Sequence, residues 1–295
     1  MAGISNLQNR MKSVRDTRKI TNAMYLIASA KMNRARQDLE LSRPHFLASQ
    51  AVIADLLAHL PDIAHPYIGD TLTAARPGKT AYLVVSGDKG LAGAYNMNVL
   101  KQLASLDLNP ERAVLYTIGE VGYHSALNRG DPVDESMHFP SQDPNITRAR
   151  ELSAQLCARY LSGELSEIYV LYTTLDKLNT APVCRRLLPL YHSDFTAFAL
   201  PDDGKPPVYL PGPQEILDTV VPNYITGFLF GMLVESFCAE LDARMVAMKS
   251  ATDNADEMLE QLTLDCNRAR QEAITQEITE ISSGARAQKK GESLL

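Results

Sequence analysis

Cysteine is scarce in this sequence, and its spacing excludes most of the chemistry that cysteine supports. The 295 residues contain four cysteines, and no two of them form a C-x-x-C pair. Zinc ribbons and thioredoxin-like motifs need such pairs, and a disulfide framework needs a denser set. No histidine pair at i, i+4 lies beside a glutamate, and no G-x-S-x-G elbow is present. We therefore expect no metal, no catalytic residue and four buried free thiols, which are Cys157, Cys184, Cys238 and Cys266.

Long apolar runs are also missing. The longest, residues 225–234, is interrupted by Thr226 and two glycines and falls short of the roughly 20 residues that span a bilayer. The first nine residues show no basic region followed by an apolar core, as a secretion signal would. We expect a cytoplasmic protein without direct membrane insertion.

What the sequence does contain is an exceptionally long helical signal, from about Pro222 to Ser283. Apolar residues recur there with the heptad period that keeps one stripe against a partner helix. Pro222 suits a first helical turn and Gly284 suits a helix end. A helix of this length needs a second helix to cover its apolar stripe: Leu233, Phe237, Leu241, Met245, Met248, Ala255, Leu259, Leu262, Cys266, Ala269 and Ala273.

The amino-terminal residues 1–61 supply that second helix, with a kink or interruption expected at Pro44. Residues 1–43 carry nine Lys or Arg against three acids, net +6, whereas residues 223–283 carry four against eleven, net −7. Opposite charge and matching stripes predict an antiparallel coiled coil between residues 1–61 and 214–286. The acidic partner helix makes nucleic acid an unfavoured ligand for the basic face. The amino-terminal stripe is Ile4, Leu7, Met11, Val14, Met24 and Ile27.

Between these helices, residues 79–200 follow a different pattern. Apolar runs at 82–86, 114–118 and 168–172 are typical of strands buried on both faces, and helical patterns separate them. Alternating strands and helices predict a doubly wound, Rossmann-like α/β domain inserted into the coiled coil. Residues 184–190 are a candidate edge strand.

A glycine-rich turn, Ser86–Gly93, leaves the first strand of this domain. Such a turn can present backbone N–H groups to a phosphate, with Lys89 as counter-charge. Its G-x-x-G-x-x-G spacing matches neither the dinucleotide nor the P-loop motif. The spacing favours a structural or protein-contact turn over a nucleotide site, and we expect no cofactor.

The two ends of the sequence resemble one family. Residues 20–24 (ITNAM) and 28–32 (ASAKM) are similar to the amino-terminal signature of the gamma subunit of F-type ATP synthases. Residues 244–255 (RMVAMKSATDNA) and 267–281 (NRARQEAITQEITEI) resemble its carboxy-terminal motifs. Ser86–Asn96 is similar to the family's central S-D-R-G-L-C-G-G-F-N stretch, with an extra Gly87 before the aspartate, Lys89 for Arg, Ala92 for Cys and Ala94 for Gly.

That resemblance implies a rotary central stalk and a Rossmann-like domain that binds no nucleotide. The implied partners are the alpha and beta subunits of the head, the epsilon subunit and the membrane ring of c subunits. The chain would be a non-catalytic coupling subunit on the cytoplasmic face of a bacterial membrane. By resemblance, polar contacts would come from Arg270, Gln271, Thr275 and Glu277, an apolar tip from Ile274, Ile278 and Ile281, and lower contacts from Met24, Arg244 and Lys249.

Two other functions fit parts of the sequence. One is an independent nucleotide-binding α/β enzyme whose helices form a dimerisation arm. The other is a generic coiled-coil scaffold, which predicts a stable homodimer.

Overall fold

The computed structural model describes residues 2–69, 77–106, 108–175, 180–198 and 208–292, with side chains described from residue 4 to residue 284. The helices are α1 (Ala2–His59), α2 (Tyr95–Ala104), α3 (Glu120–Arg129), α4 (Ile146–Leu161) and α5 (Pro213–Glu292). The strands are β1 (Lys79–Val85), β2 (Ala113–Ile118), β3 (Val133–Phe139), β4 (Leu165–Thr173) and β5 (Pro182–Leu188). Two short 3₁₀ helices, His192–Asp194 and Thr196–Phe198, precede α5.

The five strands form one sheet in the order β3-β2-β1-β4-β5. The first four are parallel, and β5 runs antiparallel to β4. Strand order reverses between β1 and β4, which is the switch point where doubly wound sheets bind ligands at the carboxyl ends of their strands. The predicted Rossmann-like α/β fold is therefore confirmed.

The chain divides into two compact units, one comprising Met1–Ile27 with Met245–Leu295 and the other Ala28–Arg244. In the first unit α1 and α5 pack side by side. Thr21 Oγ1 lies 2.6 Å from Thr252 Oγ1, and Arg18 Nε lies 2.9 Å from Asp256 Oδ1. From Arg18 to Thr21 residue numbers rise along α1, whereas those of the partners fall from Asp256 to Thr252 along α5. The helix pair is therefore antiparallel, as predicted.

Burial in this unit follows the predicted heptad stripe. Met248, Ala255 and Leu262 are at most 7% exposed, and the stripe positions between and after them are half-buried. On α1, Met11 and Thr21 face the partner helix, but Ile27 is 58% exposed. Ile27 was wrongly assigned to the stripe, because the buried position falls on its neighbour Ala28, which is 2% exposed and lies one heptad after the buried Thr21.

In the second unit, helix α5 is part of the core of the α/β domain. Ala239 is fully buried in a cluster with Val84 of β1, Val99 of α2 and Leu171 of β4. Elsewhere in this unit α1 and α5 meet through Phe46, whose ring stacks on Tyr224 at 5.3 Å and on Phe228 at 6.4 Å between centroids.

An 18-residue window of α5 has a mean hydropathy of 1.3, which meets the length and composition of a membrane span. Half of that window is buried inside the protein, and the core helix of a folded domain passes the same test. Ile225, Leu229 and Val234 of α5 are fully buried, so we interpret the window as part of a core helix.

Both long helices continue through residues that were expected to interrupt, start or end them. Helix α1 runs through Pro44, and α5 begins at Pro213, contains Pro222 and continues past Gly284. The expected helix start at Pro222 and helix end at Gly284 are therefore wrong. Side chains donate to carbonyls near Pro222, where Asn223 Nδ2 lies 3.0 Å from the oxygen of Thr219 and Thr226 Oγ1 lies 2.9 Å from that of Pro222.

Candidate functional site

The glycine-rich turn after β1 folds over the amino terminus of α3. The first three N–H groups of α3 donate to this turn: Glu120 to Asp88 Oδ1 at 3.3 Å, Val121 to the Gly87 carbonyl at 3.1 Å and Gly122 to Ser86 Oγ at 2.8 Å. A helix amino terminus is an anion site because its first N–H groups lack partners within the helix. Here the chain itself supplies those partners.

Asp88 provides the negative charge at this helix end. Besides Glu120, its carboxylate accepts from the N–H groups of Ser141 at 3.0 Å and Gln142 at 3.2 Å. Donors from the segments that follow β2 and β3 therefore converge on one carboxylate. Asn96 fixes the other side of the turn, since its Oδ1 accepts from Gly87 N–H at 2.9 Å and its Nδ2 donates to the Lys89 carbonyl.

The crevice between β1 and β4 is filled by helix α5. Ser236 Oγ lies 2.8 Å from the Tyr95 hydroxyl and accepts from the Thr173 N–H at 3.3 Å. Glu235 Oε1 accepts from the Leu175 N–H at 3.1 Å. Polar groups of α2 and of the carboxyl end of β4 are thus bonded to α5, in the place where a doubly wound sheet would bind a ligand.

A buried ion pair joins α5 to the same turn. Arg244 Nη2 lies 2.5 Å from Glu240 Oε1 and also donates to the Gly90 carbonyl at 3.3 Å. The two side chains are 13% and 5% exposed. Burial raises the pKa of Glu240, and the Arg244 guanidinium opposes that shift. A buried charge needs an opposite charge and hydrogen bonds, and Arg244 has both in Glu240 and the Gly90 carbonyl.

Metal chemistry has no donor set in the described part of the chain. No group of three His, Cys, Asp or Glu side chains there could hold a metal ion. All four cysteines are free, and only two of them are buried. The expectation of four buried thiols is wrong for Cys184 and Cys266, which are partly exposed, and burial raises the pKa of Cys157 and Cys238.

Most of the residues assigned to subunit contacts lie in the helical unit and are exposed. Ile274, Ile278 and Ile281 are 48%, 62% and 73% exposed, at a spacing that places them on one side of α5. Met24 is half-buried, and Lys249 makes only a long 3.7 Å contact with Asp253. The four polar candidates, Arg270, Gln271, Thr275 and Glu277, are also exposed. Within the described side chains, Arg270 and Glu277 form no ion pair.

Arg244 differs from the other candidates because it belongs to the α/β unit and is held by Glu240 and Gly90. Sequence reasoning missed this pair, although Glu240 and Arg244 have the i, i+4 spacing of a helical ion pair. It also missed Asp88 and Ser236. A lone aspartate in a glycine-rich turn gives no signal of its own, and Ser236 acts through residues distant in sequence.

The structure thus defines a class: a doubly wound α/β domain whose ligand crevice is closed by its own carboxy-terminal helix, combined with an antiparallel helix pair. The chain belongs to the ATP synthase family, whose profile matches residues 3–288.

Relatives carry a more specific name. A protein of Caldanaerobacter subterraneus subsp. tengcongensis named ATP synthase gamma chain is 38% identical over 293 residues, covering 96% of this chain and 99% of that protein. One of Acetobacterium woodii, named ATP synthase gamma chain, sodium ion specific, is 35% identical and covers 96% of this chain and 98% of that protein.

Solved structures show the same fold. A chain of the Euglena gracilis mitochondrial ATP synthase, from a structure of OSCP, F1 and c-ring, has a TM-score of 0.64 at 14% identity and covers 99% of this chain and 96% of its own length. A chain of the Tetrahymena thermophila mitochondrial enzyme, from its central stalk and c-ring, has a TM-score of 0.56 at 19% identity, with coverage of 79% and 99%.

Proposed function

We propose that this chain is the gamma subunit of an F-type ATP synthase, the rotary central stalk that couples ion flow through a c-ring to ATP synthesis or hydrolysis in an alpha/beta head. The observation that carries it is the near full-length likeness to proteins named ATP synthase gamma chain. The chain's own geometry agrees, because a helix pair with an exposed end offers surface for partners rather than a reaction centre.

The chain acts by shape and contact and catalyses no reaction itself. Ser236 and Glu235 occupy the crevice, and Asp88 occupies the helix terminus where a nucleotide phosphate would be held. The same contacts disfavour the alternative of an independent nucleotide-binding enzyme. Calorimetry of the 295-residue chain with ATP and ADP tests this, since saturable binding would contradict a non-catalytic α/β domain.

In this proposal residues 1–61 and 214–286 supply the shaft and residues 79–200 the globular domain. The partners are the alpha and beta subunits, the epsilon subunit and the c-ring, with the chain peripheral to the cytoplasmic face of a bacterial membrane.

Shifting a catalytic site from mostly open to mostly closed takes about 5.5 kcal/mol of differential contact energy. One exposed ion pair supplies about 0–1 kcal/mol, so the bias must be distributed over many contacts.

Two kinds of contact along α5 supply this differential contact energy in our proposal. The exposed side chains of Arg270, Gln271, Thr275 and Glu277 offer polar contacts to the surrounding subunits, with Met24 and Lys249 contributing further along the helix pair. The exposed Ile274, Ile278 and Ile281 suit an apolar sleeve, because apolar contact has no direction and need not break specific bonds as the helix turns. Arg244 acts through the turn at Gly90 that it holds.

Arg270→Ala tests the coupling role in a reconstituted complex. We expect lower ATP-driven ion pumping and synthesis with an unchanged melting temperature, because the exposed Arg270 makes no ion pair within the described side chains. Arg268→Ala removes a similar charge two residues away and serves as the matched control. Equal pumping and synthesis by the Arg270→Ala and unmodified complexes would remove Arg270 from the contact set.

A further inference from the structure

The α/β unit contains a large cavity that the proposed function leaves unused. It lies between residues 36–46 of α1, residues 227–238 of α5 and the ends of β4 and β5, with a volume of about 720 Å³. Pockets for small molecules usually measure about 300–1,000 Å³. The cavity is therefore of the size that holds one small ligand.

Most of its wall is apolar. Its apolar lining includes Leu39 and Phe46 of α1 and Phe228, Met232 and Val234 of α5. Phe46 and Phe228 are only half-buried, so their rings stay open to an occupant. This wall favours a ligand with an extended hydrocarbon part, since burying apolar surface is the main source of affinity in such pockets.

One wall residue, Gly231, leaves part of this space empty. A Cβ placed on Gly231 would meet no atom within 4 Å. A methyl group therefore fits at this position, and because Gly231 lines the cavity, a larger side chain there is a way of filling it from within.

Charged residues complete the lining, and positive charge prevails among them. Glu40 lies 3.5 Å from Arg43, and Glu235 accepts a backbone hydrogen bond from Leu175. Arg36 and Arg185 have no carboxylate within 4.0 Å among the described residues; Arg36 instead lies beside the buried Cys238 thiol, and Arg185 lies 5.9 Å from the Tyr172 ring centroid. Arg36 lines the cavity and is an exposed residue.

We propose that this cavity binds a long-chain carboxylate of the free fatty acid class. Its carboxylate pairs with the Arg36 guanidinium, and its hydrocarbon chain lies along Phe46, Phe228 and the gap at Gly231. An Arg–carboxylate pair is a strong, directional contact, whereas a cationic head group would meet unpaired guanidinium groups. The inference does not depend on the proposed role in ATP synthase.

Calorimetry with the full 295-residue chain tests the ligand class. The probe is sodium palmitate below its micelle concentration, compared with hexadecanol, hexadecyltrimethylammonium and acetate. We expect one palmitate per chain, at least tenfold weaker binding of the alcohol and the cation, and no measurable binding of acetate. Absence of saturable palmitate binding, or equal affinity for the cationic amphiphile, would overturn the proposal.

Three variants locate the site. Arg36→Gln should weaken palmitate binding about tenfold, which corresponds to about 1.4 kcal/mol. Arg34→Gln should leave binding unchanged, because Arg34 is exposed on the same helix and does not line the cavity. Gly231→Leu should abolish binding by filling the cavity, with circular dichroism confirming the fold. Unchanged affinity in Arg36→Gln and Gly231→Leu, or equal weakening by Arg34→Gln and Arg36→Gln, would place palmitate elsewhere and refute the site.

Discussion

Thr21 and Thr252 touch through their side-chain hydroxyls, 2.6 Å apart, although 231 positions separate them in the sequence. Thr21 is 7% exposed, so the contact lies inside the interface of the helix pair. Together with the Arg18–Asp256 contact it sets the antiparallel register of α1 against α5. This is the relationship that opposite charges and matching stripes predicted without specifying which residues meet.

A pair of cysteines tests that register. We expect Thr21→Cys/Thr252→Cys to form an intramolecular disulfide on mild oxidation, because hydroxyls in contact place the two Cβ atoms near disulfide range. Peptide mapping by mass spectrometry identifies the bond and distinguishes it from bonds to the four native thiols. Thr17→Cys/Thr252→Cys moves one partner by a helical turn and should stay reduced. Equal crosslinking of both pairs would show that the register is not fixed.

Gly227 and Gly231 lie one turn apart on α5 and predict opposite responses to the same substitution. A Cβ at Gly227 would lie 2.9 Å from Phe46 Cδ2, whereas one at Gly231 has open space. Alanine favours a helix over glycine by about 1 kcal/mol, while overpacking costs about 1–3 kcal/mol. Gly227→Ala should therefore lose about 1 kcal/mol of unfolding free energy and Gly231→Ala gain about 0.5–1 kcal/mol.

Urea unfolding of the two alanine variants beside the unmodified chain measures both changes. The comparison is internally controlled, since both variants add one methyl group to the same helix. A stabilised Gly227→Ala variant would mean that the Phe46 ring moves aside and that the close approach carries no energetic cost.

The sequence specified the buried parts of the fold better than its edges. Strands β1, β2 and β4 were predicted because their residues are apolar on both faces. Strand β3 was missed, since Met137 is its only buried residue and Asp134, Glu135 and Ser136 interrupt any strand pattern. An edge strand pairs through its backbone, and such pairing leaves little trace in side chains.

The closure of the ligand crevice was equally out of reach. The non-standard glycine spacing argued against a nucleotide site, but it did not identify what fills the space. Glu240 is separated from the turn at Gly87 by about 150 residues and Ser236 from Tyr95 by 141, and only folding brings each pair together. The sequence showed that the turn lacked a motif, and the structure shows which residues replace the ligand.

Asp88 supports the turn with a single carboxylate, so its removal should be costly. Asp88→Asn loses the charge and one of the two oxygens that accept from the N–H groups of Glu120, Ser141 and Gln142. Hydrogen bonds to charged groups contribute about 1.5–3 kcal/mol each, and we expect a loss of about 2 kcal/mol in unfolding free energy.

Asp143→Asn is the control for this measurement. Asp143 directly follows Ser141 and Gln142, but its side chain is 74% exposed and its ion pair with Lys31 is 3.4 Å long. We therefore expect its substitution to lower the unfolding free energy by no more than about 0.5 kcal/mol. Both values come from denaturant unfolding at neutral pH. Similar losses in the two variants would contradict a special role for Asp88.

Asp134 predicts a pH dependence of stability. Its Oδ2 accepts from Arg159 Nη1 at 2.6 Å, and the same guanidinium donates to the Tyr116 hydroxyl and to Ser136 Oγ, joining α4 to β2 and β3. Burial alone would raise the pKa of Asp134, but hydrogen bonds from Ser136 and Arg159 outweigh burial and lower it. A lowered pKa in the folded state means that the ionised carboxylate stabilises the fold at neutral pH and that this contribution is lost as the pH falls through that pKa.

Asp134→Asn should therefore cost about 1–3 kcal/mol at pH 7, since the side chains of Asp134 and Arg159 are 27% and 24% exposed. The difference between this variant and the unmodified chain should shrink as the pH falls below the ordinary carboxyl value of 3.8, because Asp134 is then progressively protonated in both folded and unfolded chains. Urea unfolding at several pH values measures the difference. Glu164→Gln probes the same arginine through a 3.5 Å contact with a side chain that is 54% exposed, and should change stability by less than about 0.5 kcal/mol. A cost for Asp134→Asn that stays constant from neutral to acidic pH would show that packing, and not the charge of Asp134, holds this part of the sheet to α4.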